Sequence, residues 1–349
     1  MHFRWIKYYT PLFFILGAFI AFHYRGWLGF FPVCIAFAGI PLLELLLKPN
    51  DQNLTAIEEE LVKKDVVYDY ILYVFFILHL IALLCFLFTV TQASLSLLDL
   101  AGCVSSMGVL CGIFGINLAH ELGHRAHKTE QFLAKTLLLS SLYMHFFIEH
   151  NKGHHKRVAT KEDPASAQLN ESVFHFYFRS ILGSYKSAWG IANTEMKKRK
   201  LPAFHYKNEM LQFQLIQILF LTGIAILFNV QTMILFLAAA GFGIFLLESI
   251  NYIEHYGLSR NSIAPGKYER PLPHHSWNSN HLLGRVMLFE LSRHSDHHYL
   301  ASRKYQILRH HESAPQMPTG YPGMLVLAHV PPLWFKVMNP LVEKYSKRQ

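Results

Sequence analysis

The sequence predicts an all-α integral membrane protein, with six transmembrane helices and a histidine-rich di-metal site on the cytoplasmic side. Three observations carry that expectation: long uncharged apolar runs, loops of alternating basic content, and histidines clustered beside the ends of apolar segments. Hydrophobic residues make up 52% of the 349-residue chain and charged residues only 16%, against roughly 25% charged in soluble domains. Mean hydropathy is +0.21. Such a balance points to lipid as the solvent rather than to a large soluble core.

The expected spans lie near 9–22, 28–47, 69–91, 98–118, 211–228 and 232–249, most approaching the ~20 residues that a spanning helix needs. The first is short, and only Asn229, Val230 and Gln231 separate the last two, which reads as a tight hairpin. Apolar pieces at 131–148 and 324–338 read as buried or interfacial segments. The second of these contains Pro331 and Pro332, which break a helix interior. Met1 to Lys7 carries Arg4 and Lys7 before an apolar stretch. With no small-residue cleavage site after it, this stretch reads as part of a first span rather than a signal peptide. Without a linker, repeat or low-complexity tract, 1–349 reads as one domain whose catalytic cap comes from 119–210 and 250–349.

Six spans put both termini on one side. The three loops expected on the other side, 23–27, 92–97 and 229–231, hold one of the chain's 32 basic residues, Arg25. The positive-inside rule then makes the terminal side cytoplasmic and the protein a multi-pass inner-membrane protein. The net charge of +9 is chiefly this topology signal. A patch such as Lys197, Lys198, Arg199 and Lys200 could also attract an acidic protein partner, whereas nucleic acid is not expected, since no binding module accompanies the charge. Cys34, Cys85, Cys103 and Cys111 sit in apolar segments with no CxxC pair. They read as buried hydrophobes, not as a disulfide framework or an electron-transfer centre.

The 22 histidines are clustered. His120-Glu121-Leu122-Gly123-His124 follows the fourth span, and residues four apart share a helix face, so both imidazoles can reach one metal. A second box is His150-Asn151-Lys152-Gly153-His154-His155 and a third is His294-Ser295-Asp296-His297-His298, while His255 lies just past the sixth span. That is too many imidazoles for one metal and the right number for two. Ligand type alone leaves Fe, Zn, Cu and Ni open. Glu121, Glu149, Glu248, Glu254 and Asp296 punctuate the boxes, placed to accept the second ring N–H of a ligating histidine. Direct ligation by one of them stays open. Glu248, Asn251 and His255 share a helical face, so Glu248 is expected to point towards the site, and an intramembrane carboxylate is a functional candidate by default. His127 reads as an exposed neighbour of the first box, and His310 and His311 as surface residues. His274, His275 and His281 could orient the site or be structural.

The first box also matches the HExxH pattern of zinc proteases. That reading leaves the other two boxes without purpose, and the extended metzincin pattern does not continue. A histidine-rich metal transporter is the non-enzymatic alternative, but transporters usually place ligands near the bilayer midplane, whereas these gather at one membrane edge.

At these residues the sequence resembles the membrane-bound alkane monooxygenase family (alkane omega-hydroxylases), within the histidine-rich desaturase and hydroxylase superfamily. The resemblance lies in the stretch from Glu149 to Ser166, in Asn251 to Leu258 (NYIEHYGL), in Leu291 to His298 (LSRHSDHH), in Arg303-Lys304-Tyr305-Gln306 and in Pro318-Thr319-Gly320-Tyr321. It runs from about residue 69 to 340. Xylene monooxygenase and the fatty-acid desaturases share the three-box plan with different wording. The resemblance implies six membrane helices and two non-haem irons held by His120, His124, His150, His154, His155, His255, His294, His297 and His298. It implies O2-dependent hydroxylation of the terminal methyl of medium- or long-chain linear alkanes. Electrons would come from a separate rubredoxin (or a ferredoxin) with its reductase, and the hydrophobic substrate would enter from the bilayer.

Overall fold

In a computed structural model, residues 4–347 are described; Met1, His2, Phe3 and the last two residues, though part of the expected single domain, lie outside them. Six helices are long and apolar enough to cross a membrane: Arg4–Tyr24, Gly26–Leu46, Val67–Val90, Leu97–Gly123, Glu209–Leu227 and Val230–His255. All six expected spans are present, and the molecule is an integral membrane protein. The first reaches 21 residues because the turn Arg4–Tyr9 precedes the helix Leu12–Tyr24. The fourth and sixth outrun their apolar stretches. Helix continues through His120 and to His255, in keeping with the helical faces on which the sequence places both histidines. Lipid supplies no partners for backbone amides, so a spanning chain must satisfy them within its own helix.

Two compact units divide the chain. One comprises residues up to Ile35, Val67–Glu149 and Tyr185–Leu247. Its apolar side chains turn outward along Glu209–Leu227, where Leu215, Ile218, Leu219, Ile226 and Leu227 are all exposed, as suits a lipid-facing helix. Its three short connections meet at one end. The Arg25 guanidinium donates to Gln92 at 2.6 Å, the Gly26 N–H donates to Asp99 at 2.7 Å, and the Thr91 and Thr232 hydroxyls bond at 2.9 Å. These are the loops that the alternation of six spans had placed on one side. Ser96 and Asp99 form a reciprocal cap on the fourth span, satisfying amides that a helix start leaves unpaired.

Helices in this unit approach closely at small residues, a usual solution where lipid is as apolar as the side chains. A Cβ on Gly102 would stand 2.8 Å from the Gly29 Cα, and the Ser106 hydroxyl donates to the Gly29 carbonyl at 2.6 Å. Further along, Cys111–Leu118 widens into a π-helix directly before His120. Such widening is frequent at functional sites.

The other unit comprises Ala36–Val66, His150–Ser184 and the chain from Glu248 on. Its sole strands among the described residues are β1 (Ser262–Ala264) and β2 (Lys267–Tyr268), an antiparallel hairpin turning at Gly266. The sixth span stops at Gly257, whose φ of +70° favours glycine; its N–H donates to Ala167 at 2.9 Å. Arg293 donates to the carbonyls of Leu308 (2.6 Å) and Gln52 (2.9 Å), and Arg285 to that of Asn50 (2.5 Å), pinning the segment after the second span. Glu44 accepts the Gly284 N–H at 2.7 Å. Pro331 and Pro332 do interrupt the apolar stretch 324–338, but by opening the helix Pro331–Ser346 just after Tyr321–Ala328 ends, where a missing N–H costs nothing.

The Gly29–Gly102 contact has a direct consequence. Gly102→Leu is expected to destabilise the detergent-solubilised protein by about 1–3 kcal/mol, the usual range for overpacking. A thermal scan with an unshifted midpoint would show that these helices do not depend on that approach.

Candidate metal centre

The three boxes do not each make one site. The second box is built on a π-helical turn, His150–His154, followed by His155. Bonds running five residues back bring residues five apart onto one side. Nε2 of His155 therefore stands 3.0 Å from Nε2 of His150, and 3.1 Å from Nε2 of His297. His154 leaves its own box: its Nε2 lies 3.2 Å from that of His298. Along the short helix His294–Tyr299, His294 and His298 share a face, four residues apart, and His297 lies off it. His294 and His255 bring their Nε2 atoms to 3.2 Å.

One group is thus His154, His255, His294 and His298, with a ring nitrogen from each within 4.8 Å of all the others. All four residues are buried. A second group contains His150, His155 and His297. His120 and His124, in the other unit, form a pair with ring centroids 4.8 Å apart and planes at 85°.

This geometry fits metal ions. Two nitrogens bound about 2.1 Å from one ion at a right angle stand about 3.0 Å apart, close to the Nε2–Nε2 separations here. The protonation state fits as well. Burial pushes the His155 imidazole down to about 3, helped by its neighbour His154. Burial likewise holds His298 well below its ordinary value, with His294 and His155 adding to the effect. Both rings are neutral at pH 7, the form that binds metal.

Carboxylates fix the rings, although not all as expected. Asp163, which the sequence reading passed over, lies 2.9 Å from Nδ1 of His154 and accepts the Ser166 hydroxyl at 2.6 Å. Burial alone would raise its pKa, but His154 and that hydroxyl hold it below the usual carboxylate range. An anionic Asp163 places the ring proton on Nδ1 and leaves the Nε2 lone pair facing the group. The available signal was an Asp-Pro pair nine residues after a box histidine.

Asp296, expected beside a ligating ring, takes its partners from outside the boxes. It accepts Arg303 at 2.6 and 2.7 Å, His311 Nε2 at 2.7 Å and the Arg309 N–H at 2.9 Å. These contacts overcome burial and hold it below the carboxylate range. They anchor the third-box helix from behind, so His311 is a half-buried anchor and not a surface residue. Half-buried His310 likewise takes Asn280 at 2.9 Å.

Glu254 does approach a ring of the first group, with Oε2 at 3.2 Å from Nε2 of His294, the same nitrogen that faces His255. Glu121 is held by Arg125 at 2.7 Å. Glu248 accepts Ser180 at 2.5 Å and Asn251 at 3.4 Å, and Glu149 is buried. His127 is exposed and caps the helix Lys128–Ser140, as expected of a neighbour. His275 accepts the Leu272 N–H at 3.0 Å, His274 packs on its ring, and His281 meets Ser279 at 3.1 Å, all structural contacts.

Six apolar helices with buried polyhistidine groups define a membrane metalloenzyme of the desaturase–hydroxylase type, and the fatty acid desaturase family model matches residues 94–328. The chain is 36% identical over 339 residues to the alkane 1-monooxygenase of Pseudomonas putida, covering 97% of this chain and 83% of that one. With the alkane 1-monooxygenase of Acinetobacter baylyi it shares 39% over 308 residues, 88% of this chain and 75% of the relative. With the xylene/toluene monooxygenase hydroxylase component of Pseudomonas putida it shares 26% over 262 residues, 72% and 67% of the two chains. The chain belongs to the alkane 1-monooxygenase family. It is therefore an oxidoreductase, a monooxygenase by class.

Two outcomes follow from the geometry. Asp163→Asn should weaken metal retention 10–100-fold, the usual cost of losing such a partner. Titration with a competing chelator checks this, and retention equal to the parent would remove Asp163 from the ligand support. Separately, burial holds the His145 ring down to about 4. An unfolded chain takes up that proton near pH 6.5, so the neutral buried ring contributes stability that is present above 6.5 and lost as pH falls towards 4. His145→Phe should flatten the fall in unfolding midpoint over that window.

Proposed function

We propose that the chain hydroxylates the terminal methyl of medium- or long-chain linear alkanes to 1-alkanols, using O2 and electrons from a rubredoxin. The observation that carries this is the division of the box histidines into two groups of facing Nε2 atoms. Identity of 36–39% to alkane 1-monooxygenases over most of the chain supports the substrate. One iron would take His154, His255, His294 and His298. The other would take His150, His155 and His297, with His120 and His124 closing the set.

A bound iron pair supplies what no side chain can, the activation of O2 towards an unactivated C–H bond. The chain's own residues do the placing. Asp163 keeps His154 in the ligating tautomer, and Asp296 with Arg303 and His311 holds the third-box helix at its register. Buried surroundings keep bulk water from the rings. An alkane has no polar group to recognise, so selection rests on apolar surface, and the bilayer both dissolves the substrate and delivers it. Each turnover converts R–H, O2, two electrons and two protons to R–OH and water. The electrons require an external donor, a rubredoxin or a ferredoxin with its reductase.

In this reading 1–349 works as one catalytic domain in the inner membrane, with both termini and the histidine cap facing the cytoplasm. A second reading, an aryl-methyl hydroxylase, has the 26% identity to the xylene/toluene enzyme in its favour, and fatty-acyl substrates follow from the family model. Side-by-side turnover of octane, toluene and a fatty acyl chain separates the three. A zinc protease would need Glu121 as general base, and that carboxylate is engaged by Arg125.

Purified protein is expected to carry about two irons per chain. His154→Ala or His297→Ala should abolish both metal loading and octane-to-octanol conversion. Full activity of iron-free, zinc-loaded protein would sink the proposal.

A further inference from the structure

We infer that the cleft between the second histidine box and the β1–β2 hairpin is the docking surface for a small acidic one-electron redox protein. The inference deepens the reading above and rests on it for the need of a donor. The cleft, of about 780 Å³, is lined by Lys156, Arg157, Arg260, Lys267 and Arg270, against two carboxylates, Glu162 and Glu269. Both carboxylates are already engaged. Glu162 accepts the Tyr268 hydroxyl at 3.0 Å, and Glu269 accepts the Asn261 N–H at 2.7 Å. They keep their charge in those bonds, and the five cations outnumber them by three. Lys156, Lys267 and Arg270 are exposed, and so is Ile263 at 68%. An apolar tip with a cationic rim is the composition of a weak, electrostatically steered encounter surface.

What singles out this cleft is its floor. Lys156 is covalently next to His155, and Arg260 lies five residues beyond His255. Arg260 ties the two segments together, donating from Nη2 to the Lys156 carbonyl at 2.8 Å and from its backbone N–H to Ala159 at 2.7 Å. A donor seated here rests one peptide bond from one histidine group and one short segment from the other. Among the four cysteines no pair could serve as an internal redox centre; all are free. Each encounter oxidises the donor's metal centre by one electron, so two encounters supply one hydroxylation. The cationic run Lys197–Lys200 lacks this connection. It begins in the last turn of the long helix Val173–Lys198, remote in sequence from every box.

The test uses the full-length detergent-solubilised chain and a recombinant bacterial rubredoxin as probe. Binding of rubredoxin is measured without alkane, so the substrate reading can fail while this one stands. Lys267→Glu/Arg270→Glu should weaken rubredoxin binding at least about tenfold and flatten its dependence on ionic strength. Metal content should match the parent, which shows that the variant is folded. A rubredoxin with acidic residues changed to lysine should recover binding to the variant. Lys198→Glu/Arg199→Glu should bind as the parent does. Unchanged affinity in the cleft variant overturns the inference, as does a loss confined to the Lys198/Arg199 variant. Loss of binding to vesicles containing phosphatidylglycerol, with rubredoxin affinity intact, would instead make the cleft a lipid contact and also overturn it.

Discussion

Imidazole nitrogens held face to face at 3.0–3.2 Å inside a protein are the constraint around which the rest is arranged. Each neutral ring carries one N–H and one lone pair, so a facing pair closes a single hydrogen bond at most, and His154, whose proton Asp163 holds on Nδ1, can only accept. Burying polar groups without a compensating partner costs several kcal/mol at the unfavourable end. Protonation of His155 or His298 does not relieve it, because burial drives those two rings to their neutral form. A shared cation would, and metal binding would then be coupled to the folding of this region.

The surroundings read as support for that arrangement. The third-box helix is only six residues long, His294–Tyr299, too short to be stable alone. It is held from behind by Arg303, His311 and the Arg309 amide converging on Asp296, and alongside by Arg293 reaching Leu308 and Gln52. The second-box turn is held by Asp163 and Ser166. The end of the sixth helix is set by Gly257, whose backbone no other residue type adopts as readily. None of these residues needs to touch substrate. Their work is to hold the ring nitrogens in the facing arrangement.

Membrane residence divides the work between two kinds of packing. The spans satisfy their backbones internally and approach one another at Gly29, Gly102, Gly108 and Gly243, where an added Cβ would meet a neighbour below 3.0 Å. The segments around the boxes use charged and polar contacts instead, because they hold irregular backbone that needs explicit partners. The acidic-donor surface inferred above belongs to this second kind, a short hairpin on charged contacts.

By itself the sequence determined the six spans and the grouping of their short connections, and it named the nine imidazoles proposed as ligands. These are properties of composition and of spacing along one chain, which hydropathy and residue type report directly. Helix ends were less legible, since His120 and Glu121 continue a helix whose apolar signal has already stopped. Only the tertiary structure decided which ring faces which. Spacing groups His150 with His154 and His155, yet a π-turn sends His155 to His150 and frees His154 for His298, and the third box divides in the same way. The partners of Asp163 and His311 were illegible for the same reason: beyond the Asp-Pro pair near the second box, nothing in the local order of residues encodes where the chain returns in space.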